Sequence, residues 1–200
     1  MARSSDQTKR AKLLDDIVDY VREHGVSDLS LRPLAAGLGT SSRMLLYYFG
    51  TKEELLKEVL LRASNVDLGE NWMREVTDVN GLRLHLWLFW KAASVTEMSG
   101  SRLFVEMVGL ASVGEGVYRE IASAGIASVA ESIAEAMIRC GCGRDRALAN
   151  GTLAISGLRG LFEDRLINDA FERTESSAEK LIDFLVRDVE AAIAENKELL

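Results

Sequence analysis

The chain has 200 residues, 48% of them hydrophobic, a single proline and a formal net charge of −7, which is enough apolar material for a buried core in one large or two small domains and leaves no proline- or serine-rich linker. Two histidines and two cysteines offer little general-base or metal-ligating capacity, and there is no H-E-x-x-H, no nucleophile elbow and no phosphate-cradling glycine loop, so neither catalysis nor a cofactor is expected. The charge is unevenly spread: residues 1–66 carry 10 Lys and Arg against 9 Asp and Glu, whereas residues 67–200 carry 14 against 22.

The chain opens on Arg3, Lys9, Arg10 and Lys12 with only Asp6 against them, a basic start able to contact phosphates. Leu13, Leu14, Ile17, Val18 and Val21 then recur at three- and four-residue steps, which predicts an amphipathic helix from about Gln7 to His24, stopped by Gly25. After a short connector, Ser30 is an N-cap candidate, Pro33 falls in the first turn, and Leu34, Ala35 and Leu38 form one stripe before Gly37 and Gly39. A sharp turn must follow. Ser41 or Ser42 caps the next helix, whose Leu45 and Phe49 point inward. At about 100° per residue, Arg43 and Tyr47 lie almost opposite that pair, flanked by Ser42, Met44, Leu46 and Tyr48. Thr51, Lys52, Glu53 and Glu54 form a capping box that starts another helix, running to about Val66 with Leu55, Leu56, Val59, Leu60 and Ala63 on its inner face. Its N-terminal N–H groups and Lys52 suit a phosphate.

The order Ser30-x-x-x-Leu34-Ala35-x-x-Leu38-Gly39, then Ser41, Leu45, Tyr48-Phe49 and Thr51-Lys52-x-x-Leu55, resembles the tetracycline-repressor (TetR) family of one-component transcription regulators. The motif spans roughly residues 8 to 65. Two positions depart from the family pattern: Arg43 stands where a small residue is usual early in the recognition helix, and Leu46 where a phosphate-binding tyrosine is usual. The resemblance implies an all-α fold of about nine helices, with a helix-turn-helix DNA-binding head over residues 1–50 and a ligand-binding and dimerisation domain over residues 51–200. Its operator contacts would come from Arg32, Ser41, Ser42, Arg43, Met44, Leu46, Tyr47, Tyr48 and Lys52. Arg43 has the reach for guanine O6 and N7, Met44 or Leu46 for a thymine methyl, and Ser42, Tyr47, Tyr48 and Lys52 for phosphates.

Beyond Gly69, residues 82–88 alternate like a strand, but apolar residues fill both parities from Leu86 to Trp90 and continue through Ala92, Ala93 and Val95, which favours a buried helix. Ser101 is placed as the cap of a helix through Leu110, and Val117 to Cys140 reads as a long alanine-rich helix. Cys140 and Cys142, two apart, make a poor disulfide and an incomplete metal site. Two further long helices are predicted at about 144–167 and 174–196, joined by Asn168 to Arg173. The first carries Ala149, Gly151, Ala154, Gly157 and Gly160, small residues that permit close helix approach. In the resembled family these last helices pair two chains across a two-fold axis, which implies a homodimer on a near-palindromic double-stranded DNA operator.

Aromatic and methionine side chains in the second part supply a candidate pocket for a small apolar or amphipathic effector: Trp72, His85, Phe89, Trp90, Phe104, Met107 and Phe162, with Trp87, Met98 and Glu106 beside them. Effector binding would then shift the helix that follows Lys52 and spread the paired readers. No continuous run of about 18 apolar residues appears, so no membrane span and a cytoplasmic location are expected. The expected function is a ligand-responsive regulator, a repressor in the commonest form. The alternative is a helical ligand- or partner-binding protein that has lost operator specificity.

Overall fold

The computed structural model describes residues 2–27, 29–63, 72–95, 99–114 and 116–198, and among these it contains nine helices and no strand. They are α1 (Ala2–His24), α2 (Leu31–Gly37), α3 (Ser42–Phe49), α4 (Lys52–Ala63), α5 (Val79–Val95), α6 (Ser99–Val113), α7 (Val117–Arg139), α8 (Arg144–Asn168) and α9 (Phe171–Glu198). The alternating segment at residues 82–88 is helical, inside α5. Two compact units divide the chain. One comprises Met1–Val66 and Glu97–Ser123, the other Asp67–Thr96 and Ala124–Leu200. The expected end of α4 at Val66, together with Gly69 and Met98, lies outside the described residues.

In the first unit, the stripes read from sequence meet in one core: Leu14, Ile17, Val18 and Val21 of α1, Leu34 and Ala35 of α2, Leu45 and Phe49 of α3, and Leu55, Val59 and Leu60 of α4. Leu103 and Met107 of α6 and Ile121 of α7 complete it. Each fully buried aliphatic side chain contributes about 1.5–3 kcal/mol, so the short α2 and α3, which are too brief to persist alone, are held by this burial. Arg10 adds a polar fastener across three helices. Its Nε donates to the Tyr48 carbonyl (3.0 Å), its guanidinium lies 4.8 Å from the Phe49 ring centre, and it pairs with Glu58. The basic start therefore has one of its cations turned inward, and Arg10 stands four residues before Leu14 and seven before Ile17, on the buried side of α1.

The second unit is built on the α8–α9 hairpin. Arg146 near the start of α8 binds Asp188 and Glu195 of α9, while Arg165 near its end binds Thr174 and Glu175, so the two helices run antiparallel. Their link is shorter than the six residues predicted. Only Asp169 and Ala170 separate them, Asp169 in the left-handed region (φ 50°). The first turn of α9 is drawn into the core because Arg165, 4% exposed, collects the Phe171 carbonyl (3.0 Å), the Thr174 hydroxyl (2.8 Å) and the Glu175 carboxylate (2.8 Å). Trp90 of α5 closes this cluster: its indole N–H donates to Glu175 (2.9 Å) and Arg165 stacks over its ring at 4.6 Å. Burial alone would raise the Glu175 carboxyl, but hydrogen bonds from Lys91, Arg165 and Trp90 outweigh it and hold the group at about 2.

Several expectations need correction. Helix α1 begins at Ala2, five residues before the predicted start, and α6 begins at Ser99, which puts Ser101 inside its first turn and not at the cap. Ser30 has the extended backbone of an N-cap but makes no side-chain cap bond. The small residues of α8 do not share one role. A Cβ at Gly151 would run into the Ala130 carbonyl oxygen of α7 and one at Gly157 into Leu181 of α9, whereas Gly160 meets nothing within 4 Å. Finally, among the described residues one helix, α7, is long and apolar enough by length and composition to cross a membrane, with mean hydropathy 1.4 over its best window, of which 33% is buried, although the sequence has no continuous run of about 18 apolar residues. Alanines between scattered aliphatics raise its average without any dense apolar run.

Gly151→Ala is expected to destabilise the fold by about 1–3 kcal/mol through overpacking, although alanine is intrinsically the better helix former by about 1 kcal/mol. Gly109→Ala on α6, which faces open space, should be neutral or stabilising. Thermal unfolding followed by circular dichroism checks the opposite signs. A second expectation concerns acid. Because folding lowers the Glu175 carboxyl from 4.5 to about 2, its contribution is full above the higher value and is lost as pH falls toward the lower one. The Tm difference between wild type and Glu175→Gln should therefore be widest near neutrality and close on acidification, and a difference that does not change with pH would contradict the assignment.

Candidate nucleic-acid interface

The interface is assembled from the turn between α2 and α3. Leu38 ends α2, Gly39 takes φ +63°, and the Thr40 N–H returns to the Ala35 carbonyl (2.9 Å). Ser41, extended at φ −120°, accepts from the Met44 N–H (3.2 Å) and so starts α3. Of the two candidate caps it is Ser41 that acts. The Ser42 hydroxyl instead donates to the Leu31 carbonyl (3.1 Å), tying the first turn of α3 to the first turn of α2.

On α3, Leu45 is fully buried and Phe49 4% exposed, which forces the opposite side outward. Tyr47 is 68% exposed, and Met44 and Leu46 are each about two-fifths exposed. Arg43 is exposed and has no side-chain hydrogen bond or ion pair among the described residues. Arg32, on the first turn of α2, is exposed as well. Tyr48 is half-buried against the core, its ring edge-on to Tyr47 at 5.1 Å. Its hydroxyl donates to Asp6 of α1 (3.0 Å), and this bond to a carboxylate, the main cause, raises the phenol above its ordinary value. Ser42 and Tyr48 thus hydrogen-bond internally, and among the described residues the outward groups of α3 with no such side-chain bond are Arg43, Met44, Leu46 and Tyr47.

Past Gly50, at φ +78°, the capping box closes as predicted: the Thr51 N–H donates to Glu54 (2.7 Å) and the Glu54 N–H to the Thr51 hydroxyl (3.1 Å). Those bonds lower the Glu54 carboxyl. One end-group donor of α4 is therefore already taken, and half-buried Lys52 stands beside it.

The residues grouped as a pocket are less unified. Phe104 and Met107 belong to the core of the first unit, whereas Trp72, His85, Phe89, Trp90 and Phe162 lie in the second. Trp72 stacks on Phe89 (5.2 Å between ring centres), and His85 places Nδ1 2.9 Å from the Gly81 carbonyl. Trp90 and Phe162 are closed into the packing. A groove of about 400 Å³ between α5 and α9 is lined by Arg83, Leu84, Trp87, Ile182 and Asp183 among others, and of the aromatic set only Trp87 reaches it. Glu106 is spent elsewhere, on the backbone of Val26 and Ser27. Arg10, expected within a basic start able to contact phosphates, instead binds Tyr48, Phe49 and Glu58, and the signal for this was its place on the buried stripe of α1.

Comparison with known proteins agrees with this geometry. Residues 13–59 match the family described as bacterial regulatory proteins, tetR family. No curated protein matches the chain. Among solved structures, a transcriptional regulator from Rhodococcus sp. Rha1 is similar at 18% identity and TM-score 0.72, over 89% of this chain and 96% of that one. The fatty acid degradation regulator FadR from Bacillus halodurans follows at 17% identity and TM-score 0.61, over 89% and 94%. A tetR-family transcriptional regulator from Streptomyces coelicolor is similar at 17% identity and TM-score 0.56, over 93% and 90%. Residues 13–59, which hold the α2–α3 turn, thus match the family of bacterial regulatory proteins described as tetR, and the chain shares the fold of these solved structures.

Proposed function

We propose that the protein is a ligand-responsive transcription regulator, a repressor, that reads a near-palindromic DNA operator as a cytoplasmic homodimer. The observation that carries this reading is the face of α3: a short helix fixed by two buried side chains, with Arg43, Met44, Leu46 and Tyr47 turned outward. Such a face offers a bidentate donor and apolar groups on one stiff rod, which is the equipment for base-edge readout in a major groove. Arg32 and Lys52 flank it with positive charge for phosphates.

Pairing of two chains is supported by the outer side of the α8–α9 hairpin. Leu148 and Leu153 of α8 and Phe184 of α9 are 39%, 42% and 56% exposed, and a Cβ at Gly160 of α8 would meet nothing within 4 Å. A second copy covering these residues by its own would bury an apolar face in a two-fold, self-complementary contact. For the effector, the Trp72–Phe89 stack with His85 nearby in sequence supports an apolar or amphipathic molecule held within the second unit.

Selection of random double-stranded DNA on the full-length protein should enrich an inverted repeat with half-sites about one helical turn apart, or a multiple of it. On that site Arg43→Ala should cost about 1–3 kcal/mol and relax preference at one base pair, while Lys52→Ala should weaken all sequences alike and reduce the salt slope by about 1. Enrichment of no sequence would sink the regulator reading in favour of a partner- or ligand-binding protein. Sedimentation should give a dimer for the wild type and a monomer for Phe184→Glu.

A further inference from the structure

We propose that Glu106 is the positioning residue of the reader pair: from α6 its carboxylate fixes the start of the α1–α2 connector, so that where α6 stands decides where α2 and α3 stand, and with them the operator affinity. This rests on the DNA-reading function above and names a point of its regulation.

Three donors converge on that carboxylate. The Val26 N–H lies 3.0 and 3.1 Å from its two oxygens, the Ser27 N–H 2.7 Å from Oε1, and the Ser27 hydroxyl donates to Oε1 as well. Hydrogen bonds to a charged acceptor are roughly twice as strong as neutral ones, and here they join residues about 80 positions apart in the sequence. Gly25 is shaped to the same contact. It takes φ +79°, and a Cβ there would stand 2.8 Å from Glu106 Oε2, so glycine both ends α1 and leaves room for the carboxylate. Tyr118, at the start of α7, grips the other side of the connector by donating to the Val26 carbonyl (3.3 Å). Burial first, and then the Glu106 charge, raises its phenol, which keeps it a donor at neutral pH.

The position of the connector is passed on directly. Val26 is 1% exposed in the core, the Leu29 N–H returns to its carbonyl (3.2 Å), and α2 starts at Leu31. A displacement of α6 by about an ångström along these bonds would take the Val26 and Ser27 N–H groups beyond hydrogen-bond range of the carboxylate. Loss of those two backbone bonds is how a small shift of α6 would be felt at the connector, in the manner of small helix shifts that act as switches.

The test uses the full-length chain and its selected operator at a temperature where every variant is folded. Glu106→Gln removes the charge, and Gly25→Ala crowds the carboxylate without altering it. Both should speed amide hydrogen exchange at Val26 and Ser27 roughly tenfold or more, while the Ser41–Met44 cap of α3 keeps its protection. Operator affinity should fall by about 2- to 30-fold, and affinity for unrelated DNA of equal length should hold, which a general loss of stability would not produce. Unchanged exchange at Val26 and Ser27 overturns the clasp. Faster exchange with unchanged operator affinity overturns its positioning role alone. A wild-type chain with no sequence preference overturns the DNA-reading function itself, and this role with it, and is told apart because the exchange readout needs no DNA.

Discussion

The reading surface depends on the burial of Leu45 and Phe49. An eight-residue helix has too few internal hydrogen bonds to survive nucleation on its own, so α3 exists because those two side chains are seated among Leu34, Ile17, Val21 and Leu55. Their seating sets the rotation of the helix about its axis, and the rotation selects which residues face outward. Arg10 reinforces the choice from the rear. By holding the Tyr48 carbonyl, the Phe49 ring and Glu58 together, it joins the C-terminal end of α3 to α1 and α4. The front end is joined to α2 by Ser42. The helix is fastened at both ends, as the proposed reading of base edges would require of side chains with little freedom to spare.

Polar groups perform the same service in the second unit. Arg165 is nearly buried, and a lone cation in that place would carry a heavy desolvation cost. Glu175, Thr174, the Phe171 carbonyl and the Trp90 ring share it out. At the other end of the hairpin Asp188, lowered to about 2 chiefly by its bonds from Arg146 and Asn150, plays the matching part. Two such clusters at opposite ends pin the register of α8 against α9, which an apolar seam alone would leave freer to slide.

Legibility from sequence followed the range of the interactions. Helix type, the turn at Gly39, the capping box at Thr51 and Glu54 and the inward pair on α3 are governed by residues within four positions of one another, and periodicity reports such contacts. The bonds of Arg10 to Tyr48, of Glu106 to Val26 and of Arg165 to Thr174 join residues that no local pattern links; the first two turned a supposed phosphate-contacting or pocket-side residue into a tie, and the third involves a residue the sequence did not single out. The small residues of α8 show the same limit: spacing marked them as places of close approach, but whether the approaching atoms were the backbone of α7, the Leu181 side chain of α9 or none depended on three dimensions. The aromatic set divides between two units for a related reason. Composition cannot distinguish a ring that lines a cavity from one that fills a core.

The division of labour within α3 bears on how such a protein changes its target. The groups that hold the helix in place, Leu45, Phe49, the Ser42 hydroxyl and the Tyr48 carbonyl, are distinct from those turned outward at positions 43, 44, 46 and 47. Replacing an outward side chain disturbs no anchoring contact, so new preferences can be explored one base pair at a time on an unaltered scaffold. Descendants of a duplicated gene could thus part ways in what they recognise long before they differ in how they fold.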